Sequence, residues 1–150
     1  LIAIGTPGEA PAPPRRKTTP AAKRTVDALR ARGVRVALAT NPIFPAIATQ
    51  ARIRWAGLAP SDFALYTTYE NSTRCKPNPD YYRDVLAALN AEPADCVMVG
   101  NDVDEDMIAE TLGMRTFLLT DCLINKHERD IDAWPHGDFD ALERWLARCV

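Results

Sequence analysis

At 150 residues, 47% of them hydrophobic, the chain has the length of about one domain and enough apolar side chain for a real core. A net charge of −2, from 18 basic and 20 acidic residues, gives no general reason to expect a nucleic-acid or membrane partner, and neither is expected. The longest apolar runs are far too short to cross a bilayer and the opening residues lack a signal-peptide pattern, so no membrane association and a cytoplasmic location are expected.

Residues 1–18, within "LIAIGTPGEAPAPPRRKTTP", are rich in proline and glycine and have no sustained period, which reads as a connector. A helix is predicted from Thr19: Thr18 or Thr19 can cap it, Pro20 suits its first turn, Ala22, Val26 and Leu29 share a face, and Gly33 fits its end. "VRVALAT" (34–40) follows as a short apolar strand of the kind covered on both faces of a parallel sheet. Next come a helix over 44–58, a weaker strand over 63–69 and a helix over 79–90 with proline near its first position. "CVMVG" (96–100) is a strand, "DEDMIAETLGM" (104–114) a helix ending near Gly113, and "RTFLLT" (115–120) another strand. A last helix covers 138–150, with Asp140 and Glu143 at capping-box spacing. Strands alternating with helices in this way predict one α/β core over 19–150, with helices on both faces of an open parallel sheet.

In such sheets ligands bind beyond the carboxyl ends of the strands. The residues there are polar: Thr40 and Asn41 after the first strand, Lys76 after the second, then Gly100, Asn101, Asp102, Asp104, Glu105 and Asp106 after the third. A hydroxyl, an amide, a lysine and clustered carboxylates suit a phosphate held beside magnesium, a hard cation that takes carboxylate and water oxygens. Each group also has a plainer reading. Acids in a helix's first turn favour its dipole, Thr40 and Asn41 could cap the helix starting near Pro45, and Lys76 could be an exposed loop lysine.

Taken together, "LATN", "CKPNPDYY" and "VGNDVDEDMIAETLGM" resemble, in order, the second, third and fourth motifs of the haloacid dehalogenase-like hydrolases. The resemblance spans roughly residues 19–150. It implies a Rossmann-like three-layer sandwich with a parallel sheet, and a magnesium-dependent phosphatase acting on a small phosphorylated metabolite. In that chemistry an aspartate attacks phosphorus and water hydrolyses the resulting aspartyl-phosphate. By the same resemblance Thr40 and Asn41 bind the phosphoryl group, and Lys76 neutralises both it and the nucleophile. Asp102 holds Mg2+, Asp106 anchors the ion or orients its waters, and Asn101 falls where many relatives have the first aspartate. The carboxylates are preferred, because an amide is a poorer ligand for a dication.

The family's first motif, an Asp-x-Asp that supplies the nucleophile and general acid, has no counterpart. Before Asn41 the only acids are Glu9, in the connector, and Asp27, inside a predicted helix. Together with a first residue that is leucine, this predicts a core lacking its nucleophile strand and most of its cap, with residues 1–18 a connector or cap remnant. Such a chain is expected not to turn over phosphate esters, and its open sheet edges would favour association. The alternative is a non-catalytic phosphate- and metal-binding fragment or interaction domain. Cys75, Cys96, Cys122 and Cys149 have no Cys-x-x-Cys spacing and are expected to be reduced thiols. His127 and His136 are expected at the surface or in packing, and Trp55 and Trp145 facing the core.

Overall fold

The computed structural model describes residues 20–149. The cap expected from Thr18 or Thr19, and the connector, lie outside them. In chain order the elements are α1 (Pro20–Ala31), β1 (Ala37–Leu38), α2 (Ala46–Trp55), β2 (Leu65–Tyr66), α3 (Pro79–Leu89), β3 (Val97–Gly100), β4 (Arg115–Leu119), β5 (His136–Gly137) and α4 (Phe139–Cys149). Every strand pairing is parallel.

The alternation of side chains along the strands sorts the core into two layers. Val36 and Leu38 of the first strand segment, with Val97 and Val99 of β3, join Val26 and Leu29 of α1, Ile53 of α2 and Leu142 and Leu146 of α4. Ala39 and Met98 face the other way, onto Tyr81, Tyr82, Val85 and Leu86 of α3. Helices therefore cover both faces, giving the three-layer α/β sandwich.

The single sheet expected from the sequence is divided. β1 pairs with β2, and β3, β4 and β5 form a second sheet in that order; among the described residues no strand lies between β1 and β3. At the amino ends of these two strands the break opens into a cavity of about 270 Å³, lined by Leu29, Val34, Arg35, Val97, Val99 and Leu146. The strand edges on either side of the break, β1 and β3, are each paired on one side only among the described residues.

Several elements depart from expectation. β5 is a strand that the sequence did not signal, two residues held against Leu118 and Leu119. The helix expected over 104–114 is instead a turn followed by a 3-10 segment, Met107–Leu112. Asp102 Oδ1 accepts from the backbone N–H groups of Asp104 and Glu105, at 3.0 and 2.9 Å, in the turn that precedes this segment. Trp55 is 70% exposed and does not face the core. The buried positions of α2 are Thr49 and Ile53, and two residues beyond Ile53 the helix has turned about 200°, to solvent. Trp145 does pack on the core, its ring 5.3 Å from that of Phe117. Asp140 and Glu143 do not form a capping box: Arg24 of α1 donates to both carboxylates, and Asp138 Oδ1 accepts from Ala141 N at 2.8 Å.

Candidate active site

The carboxyl ends of β1, β2 and β3 converge with the start of α3, and each brings one part of the site. α3 begins cleanly. The Asn78 side chain accepts from Asp80 N at 2.9 Å and Pro79 occupies the first turn, which fixes the loop carrying Lys76. The Lys76–Pro77 peptide is cis.

Lys76 is buried, and its Nζ donates to Asp106 Oδ1 at 2.5 Å. Asp106 is 1% exposed. Its second oxygen, Oδ2, accepts from the backbone N–H groups of Asn101 and Asp102, both at 3.0 Å. The carboxylate thus folds back over the end of β3, and Gly100 makes this possible: a Cβ there would lie 2.1 Å from Asp106 Oδ2. With one oxygen on Lys76 and the other on two backbone amides, the Asp106 carboxylate links Lys76 to the loop after β3.

Asp102 is buried, with Oδ1 engaged by the two turn amides. Asn101, 7% exposed, donates from Nδ2 to the Cys122 carbonyl at 2.6 Å, while its Oδ1 is buried with no partner. A buried oxygen without a donor is costly. Asn41 repeats the feature across the break: Nδ2 lies 3.4 Å from both Glu105 carboxylate oxygens, and Oδ1 is buried without a partner. Burial, then the nearby charge of Asp102, raise the Glu105 carboxyl above its ordinary value, with Lys76 acting in the opposite direction.

Thr40, half-buried, donates its hydroxyl to the Asn41 carbonyl at 3.0 Å. The Thr40 N–H is held by Thr67 Oγ1 at 3.0 Å. Every residue expected at the site from the sequence, Thr40, Asn41, Lys76, Asn101, Asp102 and Asp106, thus lies at these strand ends. Lys76 and Asp106 are in direct contact, whereas Asn41 reaches the third loop through Glu105. Sequence reasoning passed over Thr67, Tyr81 and Tyr82; the signal was present in the paired tyrosines that close "CKPNPDYY". Among the described residues no three histidine, cysteine or acidic side chains form a ready-made metal cage. His127 and His136 are surface groups 3.7 and 3.8 Å from Asp104 and Asp132 respectively. No described helix is long and apolar enough to cross a membrane.

The family model of the haloacid dehalogenase-like hydrolases matches residues 9–109. A bifunctional riboflavin kinase/FMN phosphatase from Arabidopsis thaliana is 27% identical over 99 residues, 66% of this chain and 26% of that protein. Among solved structures, a predicted phosphoglycolate phosphatase from Haemophilus somnus superposes with a TM-score of 0.71 at 22% identity, covering 85% of this chain and 56% of the other. A HAD phosphatase from Thermococcus onnurineus gives 0.64 at 21% identity over 82% and 55%. CbbY from Rhodobacter sphaeroides, solved in complex with phosphate, gives 0.63 at 20% over 80% and 53%. The chain therefore spans about a quarter of that curated relative and just over half of these structural ones. By its family match and its parallel α/β architecture, the chain belongs to the haloacid dehalogenase-like hydrolases.

Proposed function

We propose that this chain carries the phosphate- and cation-binding half of a magnesium-dependent phosphatase whose substrates are small phosphorylated metabolites. The observation that supports this most is the buried Lys76–Asp106 pair, set beside the partnerless Asn101 oxygen and the Asp102 carboxylate at one strand end. Thr40 and Asn41 offer the phosphoryl group a hydroxyl and an amide, and Lys76 offers it a positive charge.

The donor set fits magnesium. Asp102 and the orphaned Asn101 Oδ1 would hold the ion and Asp106 would anchor it or orient its waters, which suits a cation that keeps several waters and takes only one or two carboxylates. When bound, it supplies neutralisation of the phosphoryl oxygens. Asp106 holds Lys76 in place through the buried ion pair. A strand filling the break between β1 and β3 would present the aspartate nucleophile: its oxygen attacks phosphorus, the alcohol leaves, and water hydrolyses the aspartyl-phosphate to free phosphate and restore the carboxylate. The widely spaced, free cysteines suit a reducing, cytoplasmic setting.

A second reading is favoured for this chain alone, because no Asp-x-Asp precedes residue 102 and no described strand occupies the break. It keeps the pocket as a binding site and lacks turnover. A phosphatase assay with an aryl phosphate, with and without magnesium, beside Asp102→Ala, tests both. The expected result is no turnover. Magnesium-dependent turnover that the variant loses would show that the nucleophile lies within these 150 residues.

A further inference from the structure

Two adjacent tyrosines at the start of α3 reach both sides of the divided sheet. Tyr81 and Tyr82 are each 1% exposed, with rings in T-shaped contact at 5.0 Å between centroids. The Tyr81 hydroxyl donates to the Thr40 carbonyl at 2.7 Å. Thr67 Oγ1 lies 3.0 Å from that hydroxyl and donates to the same carbonyl at 2.8 Å, so the Thr40 backbone is gripped at both its N–H and its C=O. The Tyr82 hydroxyl donates across the break to the Glu105 carbonyl at 2.5 Å, and its ring centroid is 6.0 Å from Lys76 Nζ.

Apolar packing alone would be met by phenylalanine, since a buried hydroxyl is costly unless bonded. Here both hydroxyls are bonded, and both end on carbonyls of the loops that carry the site. Adjacent residues on a helix point about 100° apart, so one rigid turn can serve two strand ends. Aromatic side chains suit the task because they have few rotamers to lose.

We propose that Tyr81 and Tyr82 are the positioning residues of the site, each fixing one loop: Tyr81 the phosphate-binding loop at Thr40 and Asn41, Tyr82 the cation-binding loop at 101–106. This rests on the phosphate and cation reading above for its ligands, though not for its geometry. Neither hydroxyl acts on substrate; each sets where other groups stand.

The test uses Tyr81→Phe and Tyr82→Phe in the full chain. Magnesium and inorganic phosphate are titrated separately, and amide exchange is followed by NMR. Tyr81→Phe should weaken phosphate binding about tenfold, the worth of one good hydrogen bond, while leaving magnesium affinity within about twofold. Tyr82→Phe should do the reverse. Exchange should quicken at residues 40 and 41 in the first variant and at 104–106 in the second, with little change elsewhere. Equal effects of both variants on both loops, or no effect of either, would overturn the assignment. If the parent binds neither ion, the phosphate and cation reading fails, and the exchange pattern alone decides the positioning role.

Discussion

Lys76 and Asp106 form an ion pair whose side chains are 3% and 2% exposed. Two charges removed from water this far depend on each other: taking away one leaves the other buried and uncompensated, at a cost of about 3–5 kcal/mol. Lys76→Met should therefore destabilise the chain by roughly that amount in denaturant unfolding, and also abolish phosphate binding. Adding Asp106→Asn to Lys76→Met should restore part of the stability and none of the binding, because the amide needs no counter-charge. A Lys76→Met loss below about 1 kcal/mol, the range of an exposed pair, would contradict burial of the pair. At this scale the sequence was informative about residue type and poor about partnership. The spacing of Lys76 and the acids pointed to one pocket. That Asp106 serves the lysine and two backbone amides follows from Gly100, whose missing Cβ leaves room for the carboxylate. No periodicity in the chain encodes that return.

The elements show the same division between pattern and geometry. α1, α3 and α4 fell close to their expected bounds because apolar residues recur on one face and prolines or caps mark their ends. The segment after β3 has an equally helical composition, yet it forms a turn and a 3-10 segment, with the Asp102 side chain bonded to the first amides of the turn. α2 has its own dependence. Its first residue, Ala46, donates its N–H to the Glu70 carboxylate from beyond β2, at 3.1 and 2.9 Å. That bond, followed by the Thr68 side chain, lowers the Glu70 carboxyl below its ordinary 4.5. A carboxyl lowered in the folded state adds stability above its unfolded value and loses it as pH falls through the folded one. The start of α2 should therefore fray as pH drops below 4.5, seen as faster amide exchange at residues 46–49. Glu70→Ala should show that fast exchange already at neutral pH and lack the acid-dependent step; an unchanged step in the variant would assign it to another group.

The whole molecule is governed by the break between β1 and β3. Alternate residues of a parallel strand bond to opposite neighbours. Val36 and Leu38 carbonyls face β2 and that of Cys96 faces β4, so Ala37, Ala39, Val97 and Val99 direct their backbone groups into the break. Their amides should exchange faster than those of Phe117 and Leu118 in β4, which lie between two paired strands. Equal protection would mean that a further strand or a second copy fills the break. The alternation of strands and helices made the α/β class and its two covered faces legible in the sequence. Strand order was not, since no local pattern records which strands are neighbours, and the two-residue β5 was too short to signal. The α3 tyrosines bond to the Thr40 and Glu105 carbonyls, in the loops that follow β1 and β3. The most direct test of a phosphate and magnesium pocket at the carboxyl ends of the strands is the melting temperature of the chain with magnesium and phosphate, beside Asp102→Ala. At a hundredfold excess over Kd, binding adds about 2.7 kcal/mol, a rise of roughly 5–10 °C for a domain of this size. The pocket predicts that rise in the parent and its loss in Asp102→Ala; no rise in the parent, or an equal rise in both, would contradict it.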